Sequence, residues 1–398
     1  MALGGSLHLV RPLKRPVVAV GGDVKCVPAA GMGDEIRFGP EVGDLADPES
    51  QDGLGEALDR MVSECGSGAV VACDMHPAYF SARIARRIAA ARNLRLVEVQ
   101  HHRAHVAAVL AERRIDGEVV GLAFDGTGYG DDGTIWGGEF FTGSVGGGFV
   151  RRGSFAPLRL IGADRAVREV WRIALAALVD RGFGDEAIIS WARRTGAPVG
   201  DVGLFRRGCE LGLNVAVTTA LGRWFDLAGA LLGICLSAAS EAQAAVEMEK
   251  AAGGARRAGA MRFSLDRRGS LYIIDVPGLF DLVRDGAGDV LEAAAGFHSA
   301  VAEAAAELVR LLAGRSPGLR VVAGGGCFLN KILRGEIGGR LREAGIELVL
   351  PVELSVGDAA LAAGQIVLAD SALRPCSAKL ATQGEEESAT QSTSAAAE

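Results

Sequence analysis

EVVGLAFDGTGYGDDGTIWGG, residues 118–138, decides the fold class. The β-branched, apolar start predicts a strand over 118–124. A turn of Gly and Asp follows, and then a second apolar stretch. Such a hairpin presents backbone N–H groups at its tip, where they can meet phosphate oxygens. The theme occurs twice. PVVAVGGDVKCVPAAGMGD, residues 16–34, also runs from a strand through a Gly/Asp turn toward a second strand. Two copies in one chain predict two related lobes facing a cleft.

Further strands are expected at 69–73, 95–99, 319–323 and 346–350. Helical periodicity fits 77–92, 101–114, 166–182, 218–232, 237–251, 294–313, 330–343 and 358–369. Strands alternating with helices imply an α/β protein whose sheets are covered by helices. The expected organisation is an N-terminal extension over 1–15, a first lobe over 16–115, and a second lobe with helical insertions over 116–370. The polar, small-residue stretch 371–398 is expected to be a disordered tail.

The chain has 398 residues, enough to bury more than one large core. Its formal net charge of −7 argues against a nucleic-acid partner. Seven cysteines, an odd count without CxxC spacing, argue against a disulfide framework or a cysteine-rich zinc site. Reduced thiols in a cytoplasmic protein are expected instead. The first residues contain no long apolar segment of the kind a secretory signal needs. The most apolar stretch, 221–235, is interrupted by Arg223 and Asp226, so no membrane span is expected.

Half of the six histidines fall in QHHRAH, residues 100–105. In a helix His101 and His105 stand one turn apart on the same face. Two imidazoles so placed can share a divalent cation, although the spacing alone fits a ligand-free helix start equally well. His102 points about 100° away around the helix. Asp125 ends the strand of the opening hairpin, and Asp358 precedes a helix. Either could complete a site, and either could be a turn or cap residue. VVAGGGCFLN, residues 321–330, carries an apolar strand into three glycines and then a helix, an arrangement that admits an anion. Cys327 within it is read as a nucleophile or as a small packing residue. Arg223, Asp226, Glu241 and Gln243 interrupt apolar helices. They could bond a ribose or base, or simply each other. His76, in CDMHP at 73–77, could face the cleft or cap a helix.

These segments resemble one family. VGGDVK (20–25), CDMHP (73–77), QHHRAH (100–105), FDGTGYGDDGTIWGGEF (124–140), VREVWRIAL (167–175), GRWFD (222–226), GGGCFLN (324–330) and VGDAALAAGQ (356–365) follow the order seen in the C-terminal part of HypF carbamoyltransferases. The wider relatives are tRNA threonylcarbamoyl transferases and antibiotic O-carbamoyltransferases. The resemblance implies a two-lobed actin/hexokinase/Hsp70-like nucleotide-binding fold with duplicated βββαβαβα lobes. It implies that His101, His105, Asp125 and Asp358 hold iron or zinc. Thr127, Gly325, Gly326 and Asn330 would line the phosphates of ATP or carbamoyl-adenylate. Gly222, Asp226 and Gln243 would hold the nucleoside side.

The implied reaction passes a carbamoyl group from carbamoyl-adenylate, made from carbamoyl phosphate and ATP, to the C-terminal cysteine of HypE during [NiFe]-hydrogenase maturation. His76 or His102 would be the base. The acylphosphatase, zinc-finger and YrdC-like domains of full-length HypF have no counterpart in these residues. Either another protein or domain supplies the donor, or the chain handles carbamoyl phosphate directly; a separate supplier is the expectation. The chain also departs from the family at Ser240-Glu241-Ala242, Cys327 and Leu329, which bears on nucleotide contacts. Two other readings are tRNA threonylcarbamoylation and a non-catalytic nucleotide-binding scaffold that docks HypE.

Overall fold

A computed structural model describes residues 5–259, 261–286, 288–314 and 319–373. The expected tail lies outside the described residues from 374 onward, as does Cys376. Residues 371 and 372 belong instead to a helix, Leu361–Ala372, that continues past the expected end.

The first sheet contains β1 (Ser6–His8), β2 (Val17–Ala19), β3 (Ala29–Met32), β4 (Glu35–Phe38), β5 (Val70–Asp74) and β6 (Arg95–Val99). Its spatial order is β1-β4-β3-β2-β5-β6. Three more strands, β7 (Val119–Phe124), β8 (Gly138–Ser144) and β9 (Gly148–Phe155), open the second sheet. A separate pair follows, β10 (Leu158–Ile161) with β11 (Val215–Thr218). Then β12 (Ser264–Arg268), β13 (Leu271–Asp275), β14 (Arg320–Gly324) and β15 (Leu348–Val349) complete the second sheet, in the order β12-β13-β9-β8-β7-β14-β15.

The two sheets repeat one plan. In the first, β2 has antiparallel β3 and β4 on one side and parallel β5 and β6 on the other. In the second, β7 has antiparallel β8 and β9 on one side and parallel β14 and β15 on the other. Helices Pro48–Cys65, Phe80–Ala91 and His101–Glu112 follow β4, β5 and β6. Helices Val290–Ala313, Lys331–Glu343 and Leu361–Ala372 stand at the matching points of the second half. This is the duplicated, two-lobed α/β fold, with residues 156–289 inserted into the second copy. The central strands β5 and β7 are buried at every position, so their continuous apolar runs fit strands covered on both faces.

The last helix of each copy crosses to the other sheet. His101–Glu112 lies on β7 and β14, while Leu361–Ala372 lies on β2, β5 and β6, and the two helices pack on each other. Gly364 makes this possible, because a Cβ there would stand 1.9 Å from the carbonyl oxygen of Ala104. The crossing brings the start of His101–Glu112, the turn before Leu361, and the ends of β5, β7 and β14 to one place.

Several expected elements shift. The 166–182 helix is two helices, Asp164–Arg168 and Trp171–Asp180, because Glu169 leaves helical geometry. The 218–232 helix starts only at Leu221. Before it, Val215–Thr218 pairs as β11, as its β-branched residues favour. The 237–251 helix begins at Gln243, after Ala242 adopts left-handed geometry. No helix among the described residues is long and apolar enough to cross a membrane.

Candidate metal and nucleotide site

Gln100 caps the helix that carries the histidines. Its side-chain oxygen accepts from the N–H of Arg103 at 2.9 Å, and its amide donates to Tyr129 O at 2.9 Å. This fixes the first turn, so His101 and His105 face inward, only 1% and 2% exposed. Their ring centroids are 4.9 Å apart.

Asp74, at the end of β5, sets the direction of His101. Its Oδ2 lies 2.7 Å from His101 Nδ1. A carboxylate there holds the proton on Nδ1 and turns the Nε2 lone pair into the site. Asp125 follows β7. Its Oδ1 accepts from the amides of Gly126 at 2.8 Å and Gly326 at 3.2 Å. Its Oδ2 then faces His101 Nε2 at 3.3 Å and His105 Nε2 at 3.2 Å. Asp358 approaches from the turn before helix Leu361–Ala372, with Oδ1 3.8 Å from His101 Nε2 and 3.5 Å from His105 Nε2.

One ligand atom from each of the four residues lies within 4.8 Å of all the others. Donors bound tetrahedrally at about 2.1 Å from an ion would sit roughly 3.4 Å apart. The 3.2–3.8 Å nitrogen–oxygen distances bracket that value. Two imidazoles with two carboxylates suit divalent iron or zinc and balance the charge of the ion. The electrostatics agree. Burial alone would lower the pKa of His101 and His105, but the facing carboxylates reverse the direction in both. Burial would likewise raise Asp125, yet the two histidines hold it well below the usual range. This pocket favours a positive charge between its donors.

The residues expected near the nucleotide divide into two groups. Gly222 packs on the Asp125 turn. Its N–H donates to Asp125 O at 3.0 Å, and a Cβ on it would meet Gly126 Cα at 2.7 Å. Asp226 lies one turn further along the same helix, buried beside Arg223. Gly325 has φ +102°, and a Cβ there would stand 2.3 Å from Phe124 O. The amides of Gly325 and Gly326 are already taken by Val356 O and Asp125 Oδ1. These glycines therefore keep the wall thin rather than offer free donors. Thr127 is exposed at the edge of the turn.

Asn330 and Gln243 are engaged elsewhere. The expected entry of the glycine turn directly into a helix is replaced by a short 3₁₀ turn, Gly326–Leu329. Asn330 then caps Lys331–Glu343, accepting from Leu333 N at 2.9 Å, and its amide reaches His298 Nε2 at 2.9 Å. Gln243 accepts from Ala239 N and donates to Glu247, both at 2.7 Å.

The two candidate bases differ sharply. His102 is fully buried, with Nδ1 3.0 Å from the Gln100 amide and Nε2 without a partner. Burial, then the neighbouring His101, hold its pKa well below the ordinary value. His76 is half-buried, stacks on Tyr79 with centroids 4.1 Å apart, and meets Tyr129 edge-on at 5.2 Å. Burial lowers its pKa as well. Its Nδ1 accepts from Ala78 N at 3.2 Å, which leaves the ring proton on Nε2. Burial and nearby Asp125 push the Cys327 thiol up, so it stays protonated and is no nucleophile at neutral pH.

Asp74 was not singled out from the sequence, and Arg223 was named only as a possible contact to a ribose or base. An acid ending a strand beside a histidine motif was the available signal for Asp74. A separate cavity lies at the far end of helix His101–Glu112, between Leu9, Leu13, Leu110, Ile115 and Val367.

Two family models match the chain. The HypF Kae1-like domain covers residues 12–112, and the second subdomain of the carbamoyltransferase Kae1-like domain covers 121–365. A carbamoyltransferase HypF homolog of Cupriavidus necator is 38% identical, over 88% of this chain and 90% of its own length. Carbamoyltransferase HypF of Rhizobium leguminosarum bv. viciae is 35% identical, but the match covers only 44% of that protein. A crystal structure of full-length HypF in the phosphate- and nucleotide-bound form superposes with TM-score 0.80 at 28% identity, over 93% of this chain and 57% of the other. The chain thus spans nearly all of one relative and about half of the longer ones. It belongs to the HypF carbamoyltransferase family, and what it covers is the C-terminal, Kae1-like module.

Proposed function

We propose that the chain passes a carbamoyl group from carbamoyl-adenylate to the C-terminal cysteine thiol of HypE, on the route to the cyanide ligand of [NiFe]-hydrogenase. The observation that carries this reading is the convergence of His101, His105, Asp125 and Asp358 beside glycine-thinned turns, in a chain of the HypF family. The donor, built from carbamoyl phosphate and ATP, comes from another protein or domain. HypE and that supplier are the proposed partners, in the cytoplasm. The six described cysteines are free, which fits a reducing compartment.

His101, His105, Asp125 and Asp358 would hold a divalent iron or zinc ion. Such an ion, when bound, polarises a carbonyl oxygen and stabilises the charge that develops on it. Asp74 keeps His101 turned toward the ligand position. Gly325 and Gly326, with Thr127 at the edge, let the phosphate approach the backbone. Gly222 and Asp226 take the nucleoside side. Asp226 Oδ2 is buried without a hydrogen bond and has capacity for a hydroxyl donor. In the present geometry Gln243 and Asn330 support these walls from behind.

His76 is the proposed handler of the acceptor thiol's proton, because His102 is sealed from the cleft. Its Nδ1 must leave Ala78 N before it can accept a proton. The lobes are proposed as 16–115 and 116–370, with helix Leu361–Ala372 returning to the first sheet.

The test is mass spectrometry of HypE after incubation with this chain and enzymatically generated carbamoyl-adenylate. A mass gain equal to one carbamoyl replacing hydrogen on the C-terminal cysteine is expected, and His101→Ala should abolish it. An unmodified HypE with all components present would refute the reading.

A further inference from the structure

The cleft is rich in acid. Asp74, Asp125 and Asp358 surround the histidines, and Asp226 lies on the second-lobe wall. The activated donor and its product AMP carry negative phosphate, so an anion entering here needs a fixed cation. Among the described residues, Arg223 is the one lysine or arginine that is more than nine-tenths buried, at 8% exposure.

Its bonding is unusual for a structural arginine. Arg223 Nε lies 2.9 Å from Asp226 Oδ2, close enough for an ion pair. The N–H is not aligned with that oxygen, and both atoms remain without a hydrogen bond. Buried groups left so are rare, because each forfeits the bonds it had to water. Arginines that hold this fold together look different. Arg340 bonds Glu303, Glu336 and Ser299, and Arg151 bonds Glu139 while lying over the Trp136 ring. The Arg223 guanidinium instead lies beside the Gly126 turn. A Cβ built on Gly126 would find Arg223 Nη2 at 3.8 Å as its nearest neighbour. Its charge also reaches the Cys327 thiol on the facing glycine turn. A planar guanidinium beside the glycines of these turns matches the forked geometry of a phosphoryl group.

We propose that Arg223 is the phosphoryl receptor of this cleft and makes it select nucleoside monophosphate esters over uncharged nucleosides. Asp226 tethers the guanidinium at its Nε edge and leaves the outer N–H groups free for phosphate oxygens. The inference rests on the nucleotide cleft of the proposed function and adds the residue that reads the charge.

The experiment compares AMP and adenosine binding to the full chain by calorimetry, in EDTA so that no divalent cation grips the phosphate. The unaltered protein should prefer AMP. Arg223→Gln should weaken AMP roughly tenfold to a hundredfold, the range of a charge-assisted bond, and leave adenosine unchanged. Arg223→Lys keeps the charge without the fork and should retain an intermediate preference. It also serves if Arg223→Gln fails a thermal-melt check of folding. A preference for AMP as large as that of the unaltered protein, in whichever variants fold, would overturn this inference and leave the nucleotide cleft standing. Failure of the unaltered protein to bind either ligand would overturn both.

Discussion

Asp74 Oδ2 sits 2.7 Å from His101 Nδ1, and neither side chain is more than 1% exposed. One group ends a strand and the other starts a helix, yet together they decide which imidazole nitrogen faces the cleft. A carboxylate behind a metal-binding histidine fixes its tautomer and raises its basicity. Asp74→Asn keeps the shape and loses the charge. It should weaken zinc or iron binding by roughly tenfold to a hundredfold. Competition against a chelator reads this directly, and unchanged affinity would remove Asp74 from the site.

Asp125 is expected to matter twice. One oxygen faces both histidines, and the other ties the Gly126 and Gly326 turns together. Asp125→Ala should therefore abolish bound metal, measured by elemental analysis, and also loosen both turns, seen as faster amide exchange at Gly126 and Gly326. His105→Ala should lose the metal while those amides stay protected. Equal protection loss in the two variants would show that Asp125 does not organise the turns.

Gly325 has φ +102° and ψ 152°, a region essentially closed to other residues. Gly325→Ala also brings its methyl to 2.3 Å from Phe124 O. Strain and clash together should cost about 3 kcal/mol or more of stability in urea unfolding. A loss below about 1 kcal/mol would mean that the β7 and β14 turns shift apart easily.

The lobes, the duplicated hairpins and the HxxxH face were legible because they depend on periodicity and local turns. Asp125 and Asp358 could be named from the residues but were joined only through the family resemblance, since 233 positions separate them and spacing alone does not bring them together. Asn330 shows a related limit of local pattern. The family resemblance implies a phosphate contact there, while its partner His298 lies on a helix whose packing no local pattern reveals. Most of the missed helices, such as Asp185–Thr195, lie in the insertion, where no hairpin signal marks the order of elements, but Pro48–Cys65 lies in the first lobe.

His76 and His102 should separate kinetically. His76→Ala should lower kcat with little change in KM for the donor. Burial holds the His76 pKa below 6.5, so its neutral form persists at neutral pH. Activity that depends on it should fall only as pH drops beneath that ordinary value. His102→Ala removes a fully buried ring packed behind Gly128 and should lower stability first. A normal pH profile in His76→Ala, with kcat retained, would exclude it as the base.

The Asn330–His298 contact makes a final prediction about pH. His298 is fully buried, with Nδ1 2.8 Å from Ala294 O and Nε2 accepting from the Asn330 amide. Both nitrogens are satisfied only in the neutral ring. Burial lowers the folded-state pKa below 6.5, so the unfolded chain takes up the proton first. The contribution of this ring is full above about 6.5 and declines as pH falls toward the lower folded value. Asn330→Ala removes a helix cap as well as the bond to His298 Nε2, and should cost about 1–3 kcal/mol at neutral pH. It should leave AMP affinity unchanged, because its side chain faces the helix and His298. Urea unfolding at neutral and mildly acid pH, run beside AMP titration, distinguishes the roles. Lost AMP binding with unaltered stability would return Asn330 to the nucleotide wall.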